Sequence, residues 1–175
     1  MKENKKRLIG IIISTIAIVV LALFVVFTIV KCNNKVESYG DMKRITYSEI
    51  LKQKGDKEGK YFVVIYSTTC DFCKELEPTI VEYQNFVLDN KFINYKYPPV
   101  YVLNLNATKE NEGIKVSSDS EYKNFTNTSN YEDIKFSTAP AMLEITNGVV
   151  TKLISSKLTD YPVTDITTLL NKIMK

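Results

Sequence analysis

The chain has no histidine and no tryptophan, and only three of its 175 residues are cysteine. Without histidine there is no Ser-His-Asp or Cys-His nucleophile, no Cys/His zinc finger, no H-E-x-x-H metalloprotease and no histidine-ligated haem. Cysteine and histidine together cannot complete an internal four-ligand zinc site, so no metal is expected. Six glycines and five prolines are too few for a collagen-like or low-complexity chain. A large excess of one charge is missing too: 23 Lys+Arg stand against 20 Asp+Glu. Lys2, Lys5, Lys6 and Arg7 against Glu3 account for the whole +3, which leaves 19 basic and 19 acidic residues from Lys31 onward. A neutral body with interspersed charges gives no reason to expect nucleic-acid binding.

What the sequence does have is one long apolar run. Residues 8–30, LIGIIISTIAIVVLALFVVFTIV, are 23 uncharged residues whose only hydroxyls are Ser14, Thr15 and Thr28. That length and all-round apolarity predict a transmembrane helix rather than a buried core helix. The run is longer than a signal-peptide core and ends in Ile29-Val30-Lys31 without a small-x-small cleavage pattern, so a retained signal-anchor is expected. Four basic residues precede the span and only Lys31 and Lys35 follow closely. The positive-inside bias therefore puts residues 1–7 in the cytoplasm and the body of the chain outside the cell membrane. Cys32 follows Lys31, where a lipobox would need a small residue, and is read as incidental or as a site of acylation or intermolecular pairing.

Beyond the span, residues 31–41 are polar and aperiodic and read as a tether; residues 42–175 read as one domain. Met42 to Thr46 predicts a short strand, and Thr46-Tyr47-Ser48-Glu49 a capping box opening a helix of about two turns that stops at Gly55. Tyr61-Phe62-Val63-Val64-Ile65-Tyr66 has the continuous apolar character of a strand buried on both faces. Leu76, Ile80, Tyr83 and Val87 recur at helical spacing, which predicts a helix from Cys70 to about Asp89, bent at Pro78. Val100 to Leu105 reads as the next strand, completing a βαβ unit with parallel pairing. Residues 106–131 form a polar insertion, partly helical near Tyr122, with N-x-S/T triplets at Asn106, Asn124 and Asn127 that so Asn-rich a segment produces by chance. Thr146-Asn147-Gly148 joins two apolar runs into an antiparallel hairpin, and Thr164 and Asp165 open a final helix. The economical packing is an α/β domain, one central mixed sheet with helices on both faces.

The chemistry centres on Cys70-Asp71-Phe72-Cys73. On a helix, residues i and i+3 share a face, so the two sulfurs can open and close a disulfide with little backbone movement. Cys70 stands where the helix begins, and unpaired backbone N–H groups there favour the thiolate that attacks disulfides. Pro140, after Thr138-Ala139, would hold a backbone edge beside the dithiol on which an extended peptide can pair. Asp71, a carboxylate next to Cys70, should oppose its ionisation.

At these residues the chain resembles the thioredoxin-like family. The resemblance rests on the apolar strand before Cys70-x-x-Cys73, Pro78 five residues past Cys73, Pro140 at the family's cis-proline position, and Asn147-Gly148 beyond it. It implies a thioredoxin-like fold, with Cys70 attacking, Cys73 resolving, and Thr138, Ala139 and Pro140 forming the substrate edge. With an anchor, the chain is similar to membrane-tethered extracytoplasmic thioredoxin-like proteins of bacteria, some with export or bacteriocin-accessory roles. It departs from them in three places. Val64 replaces the buried aspartate that helps move the resolving thiol's proton, Thr69 replaces the aromatic residue before the first cysteine, and Asp71-Phe72 replaces the usual dipeptide. The function implied is thiol-disulfide exchange without any cofactor beyond the dithiol, acting on protein or peptide thiols and recharged by a membrane redox partner. The alternative is a binding or accessory module of the same fold that holds an exported peptide with little redox turnover.

Overall fold

The computed structural model of the chain describes residues 2–33, 35–94, 96–107, 126–135, 139–155 and 166–175. They divide into two units, Met1–Lys35 and Val36–Lys175. The first is helix α1, Lys2–Asn33. It keeps the whole apolar run of residues 8–30 in one helix, and the Thr28 hydroxyl donates back to the Val25 carbonyl at 2.8 Å, so that this polar group is satisfied within the helix. The side chains described in α1 are those of residues 12–26 and Thr28, a shorter stretch than the sequence run. Over the described residues no helix is long and apolar enough to cross a membrane.

The second unit is built on strands β1 (Lys60–Tyr66), β2 (Val100–Asn104), β3 (Ala141–Thr146) and β4 (Val149–Ser155), with helices α2 (Asp71–Asn94) and α3 (Ile166–Met174). Among the described residues the sheet order is β2-β1-β3-β4. The β1–β2 pair is parallel, as the βαβ reading requires, and β1–β3 and β3–β4 are antiparallel. Asn147 and Gly148 turn the β3–β4 hairpin with φ of 51° and 77°, the left-handed backbone that Asn-Gly supplies at low cost. The mixed sheet and its helices have the arrangement expected of a thioredoxin-like fold.

Alternation along β1 divides the core. Phe62, Val64 and Tyr66 face α2 and α3, where they meet Leu76, Ile80, Tyr83, Val87, Ile166 and Leu170. Tyr61, Val63 and Ile65 face the other way and pack with Ile45, Tyr47, Ile50 and Ile134. Each such large side chain, fully buried, contributes roughly 1.5–3 kcal/mol. On that second face the cover, among the described residues, is not a long helix but two 3-10 turns, Tyr47–Glu49 and Tyr131–Asp133.

Three sequence expectations are corrected here. The strand expected at residues 42–46 is reduced to a single parallel bridge between Arg44 and Val102. The helix expected after Thr46 is one 3-10 turn. Glu49 does accept the Thr46 N–H at 2.9 Å, as in a capping box, but the chain then leaves the helical path. Buried tyrosines bond two carbonyls of this stretch: Tyr61 donates to Ile50 at 2.9 Å, a carbonyl the helix would have used, and Tyr101 to Lys54 at 2.7 Å. The tether is also shorter than residues 31–41. The helix runs to Asn33, and Val36 and Tyr39 are already buried in the core of the second unit. Ser38 and Asp41 close a 3-10 turn, Tyr39–Asp41, between them.

The insertion contributes its two ends. Asn106 and Ala107 continue the turn after β2. Asn127 and Thr128 exchange backbone hydrogen bonds with Val150, and Ile134 is fully buried. The helix expected near Tyr122 lies outside the described residues, as do Asn124, Thr164 and Asp165.

Candidate functional site

Strand β1 ends at Tyr66, and four residues later Cys70 stands at the threshold of α2. The loop between them is bonded within itself, the Ser67 and Thr69 hydroxyls lying 2.9 Å apart, and is clamped from outside by Asn106. The Asn106 carbonyl oxygen, just past the end of the parallel neighbour β2, accepts from the Thr68 N–H at 2.8 Å and from the Ser67 hydroxyl at 2.9 Å. The Cys70 N–H then donates to the Ser67 carbonyl at 3.2 Å. Asn106 thus fixes the approach to the dithiol, a role that its N-x-T context in the sequence concealed.

Cys70 and Cys73 are both free thiols. Cys70 is half-buried and receives the Cys73 N–H at 3.3 Å on its sulfur. An N–H aimed at Sγ from the first turn of a helix favours negative charge there. Cys73 is 1% exposed. Burial first, and then the hydrogen bond its thiol makes with Cys70, push its pKa up to about 12. The pair is therefore differentiated: one sulfur is reachable, while the other stays a thiol until something draws its proton away.

The antiparallel register Ile65↔Ala141 carries the start of β3 to the same end of the sheet. The Ala139–Pro140 peptide is cis, and the Cys70 thiol donates to the Ala139 carbonyl at 3.3 Å. Two of the three residues expected at the substrate edge, Ala139 and Pro140, therefore sit beside the dithiol. Thr138 lies outside the described residues.

Asp71 behaves differently from the sequence expectation. Its carboxylate is 85% exposed and forms an ion pair with Lys74 at 2.9 Å. That hydrogen bond and charge hold the carboxyl below its usual range, and Lys74 is raised by the same contact. The start of α2 therefore presents an ion pair beside Cys70 rather than a lone carboxylate. Phe72, between the cysteines, is 45% exposed, an apolar surface next to the reachable thiol. Val64 of β1 is fully buried in the same cluster as Cys73 and supplies no carboxylate there.

Sequence reasoning missed the other wall of the site. A cavity of about 300 Å³ opens beside Cys73, lined among others by Tyr39, Arg44, Tyr66, Lys74, Glu77 and Asn104. Tyr39 comes from the segment read as tether. Its backbone N–H donates to Glu77 Oε1 at 2.6 Å and its ring lies 4.5 Å from that of Tyr66. Its hydroxyl is buried without a hydrogen-bond partner among the described residues. A buried, unpaired hydroxyl costs about 1–3 kcal/mol, so it calls for an explanation. The pattern Ser38-x-x-Asp41, a turn signature, was the available clue.

No family model matches this chain, and no curated protein does. Among solved structures, yeast mitochondrial 1-Cys peroxiredoxin overlays 79% of this chain and 97% of its own, at 15% identity and a TM-score of 0.43. An overlay that loose adds nothing to the geometry above, which rests on the chain's own dithiol, strand order and cis peptide.

Proposed function

We propose that the chain is a membrane-tethered, extracytoplasmic thiol-disulfide oxidoreductase. The observation that carries the reading is the asymmetry of the dithiol. Cys70 is reachable, receives a helix-terminal N–H and sits 3.3 Å from the Ala139 carbonyl, and Cys73 is buried one turn behind it. The thiolate of Cys70 attacks a client disulfide, forming a Cys70–client bond and releasing the other client sulfur. Cys73 then attacks Cys70, closing the Cys70–Cys73 disulfide and releasing the second client thiol; oxidation of a client runs the same steps in reverse. No cofactor takes part. The exposed Phe72 and the Ala139-Pro140 edge give an extended client peptide an apolar contact and a backbone to lie along.

The tether reading rests on the sequence, the uncharged apolar run of residues 8–30, which α1 keeps in one helix. Side chains 12–26 in it are exposed, and such an apolar helix is at rest only in an apolar solvent. A membrane protein that exchanges electrons with the dithiol would recharge it.

The test is a redox titration of the full-length chain in detergent against defined glutathione or dithiothreitol buffers, with Cys70→Ser as control. One reversible two-electron transition that the control lacks is expected. A midpoint near about −270 mV would mark a reductase and one near about −120 mV an oxidase. Failure of the pair to cycle would sink the enzyme and leave a tethered peptide-binding module.

A further inference from the structure

Resolution of the mixed disulfide poses a chemical problem that the dithiol alone does not solve. Cys73 has to shed its proton in a buried position, and Val64 supplies no base or polar group behind it. The groups that do face this sulfur are few. Cys70 and the backbone of Ser67 lie on the loop side. Across the cavity stand Tyr66 of β1, Lys74 and Glu77 of α2, Arg44 and Tyr39. Of these, Tyr39 has a buried hydroxyl with no partner among the described residues, and Tyr39 and Cys73 line the same cavity and belong to the same buried cluster.

We propose that Tyr39 is the hydrogen-bond donor that stabilises the Cys73 thiolate as it forms in the resolving step. The proposal deepens the exchange reading and rests on it. With Cys73 a neutral thiol the Tyr39 O–H makes no hydrogen bond to it, and once the sulfur is negative it becomes a strong acceptor towards which the O–H turns across the cavity. An interaction made only in the charged state accelerates the step that creates the charge, whereas one made in both states would not. Packing alone does not explain the hydroxyl, because the ring already stacks on Tyr66 and a phenylalanine would fill that space.

Position is secured as well. Glu77 lies one helical turn beyond Cys73 on α2, and its carboxylate holds the Tyr39 N–H at 2.6 Å, tying the tyrosine to the helix that carries the sulfur. Burial and the neighbouring acidic groups raise the Tyr39 hydroxyl well above its ordinary range, so it stays a donor and keeps its own proton throughout. The Cys73 proton leaves through the cavity to solvent. The thiolate's electron pair forms the Cys73–Cys70 bond, the Cys70–client bond breaks, and the client sulfur departs with that pair and takes up a proton from water.

The experiment uses the full-length chain in detergent with Cys32→Ser, so that Cys70 and Cys73 are the remaining cysteines. It is reacted with the aromatic disulfide 5,5′-dithiobis(2-nitrobenzoate). Attack by Cys70 releases one thionitrobenzoate in a phase that scales with reagent, and attack by Cys73 releases the second in a phase that does not. Tyr39→Phe is expected to leave the first phase within twofold of the parent. It should slow the second roughly three- to tenfold at neutral pH and move its pH midpoint upward, the deficit closing as pH rises. The same variant should melt at a higher temperature, since an unpartnered buried hydroxyl has been removed. An unchanged second phase across the pH range would overturn the proposal, as would a lower melting temperature, which would mean that the hydroxyl already has a partner. Absence of any second phase in the parent would overturn the exchange reading itself, and with it this one.

Discussion

Cys73 carries in one atom both a stability term and a step of chemistry. Burial raises its pKa to about 12 from the ordinary 9.0. A raised acid pKa means that the folded chain holds this proton more tightly than the unfolded chain does. The associated stability is therefore fully present below about pH 9 and is lost as pH climbs through about 12. The signal is isolated by taking it as a difference between two chains that share every other titratable group. The reduced wild-type chain should lose stability relative to Cys73→Ala between about pH 9 and pH 12, measured by denaturant unfolding at a series of pH values. The oxidised chain, with Cys70 and Cys73 joined, has no thiol at this site to ionise and should show no such divergence. Equal pH dependence of the two reduced chains would mean that Cys73 titrates as it does in water. The rise also bears on mechanism, because a sulfur that stays protonated does not compete with Cys70 for clients and needs help at the moment it resolves.

The element that sets the reactive sulfur is the short loop from Ser67 to Thr69, held both by its own hydrogen bonds, with the Ser67 and Thr69 hydroxyls 2.9 Å apart, and by a residue just past the neighbouring strand. Asn106 accepts from the Ser67 hydroxyl and from both the N–H and the hydroxyl of Thr68. Replacing it by alanine leaves these donors to water. The cost to global stability should be about 1 kcal/mol, since the loop is exposed and solvent replaces part of what is lost. The larger effect should fall on positioning: Asn106→Ala is expected to slow the Cys70 attack phase several-fold with little change in the denaturation slope, measured with the same aromatic disulfide. A variant with an unchanged attack phase would show that the loop holds its place without the clamp. Asn106 also shows why the site was only partly legible in the sequence. Strand β1, helix α2 and the Asn147-Gly148 hairpin declare themselves through local periodicity and turn chemistry. Cys70, Cys73, Ala139 and Pro140 followed because each lies at the end of such an element. Asn106, Tyr39 and Glu77 act across elements 38 or more residues apart in the chain, and no local pattern records such a partnership. The segment after Thr46 failed for the same reason: its helical pattern was sound, but Tyr61 and Tyr101, brought in by the sheet, claimed its carbonyls.

At the scale of the whole molecule, the charge distribution and the dithiol make one argument. All of the net charge of +3 lies in residues 1–7, ahead of an apolar run of 23 residues. On the positive-inside bias such a tail would stay on the cytoplasmic side, and the second unit, with 17 basic and 19 acidic residues, would meet no comparable barrier to export. A dithiol placed outside the cytoplasm meets disulfides rather than the glutathione and thioredoxin pools that keep cytosolic thiols reduced, so its compartment decides which reaction it can run. The proposed topology therefore precedes every question of substrate. In intact cells expressing the full chain, treated briefly with a permeant reductant and washed, a membrane-impermeant maleimide should label Cys70, the half-buried cysteine of the reachable pair. Labelling should require no lysis and, in a chain that already carries Cys32→Ser so that no other cysteine lies outside the pair, should be lost in Cys70→Ser. The labelled chain should stay with the membrane fraction after extraction at alkaline pH, as a helix spanning the hydrocarbon does and a peripheral protein does not. Moving Lys5, Lys6 and Arg7 from before the run to a position just after it should weaken or invert this outcome, because orientation follows the basic flank rather than the domain. Labelling of Cys70 only after lysis would place the second unit in the cytoplasm. The dithiol would then face a reducing pool, and the exchange chemistry would have to be sought among cytosolic clients.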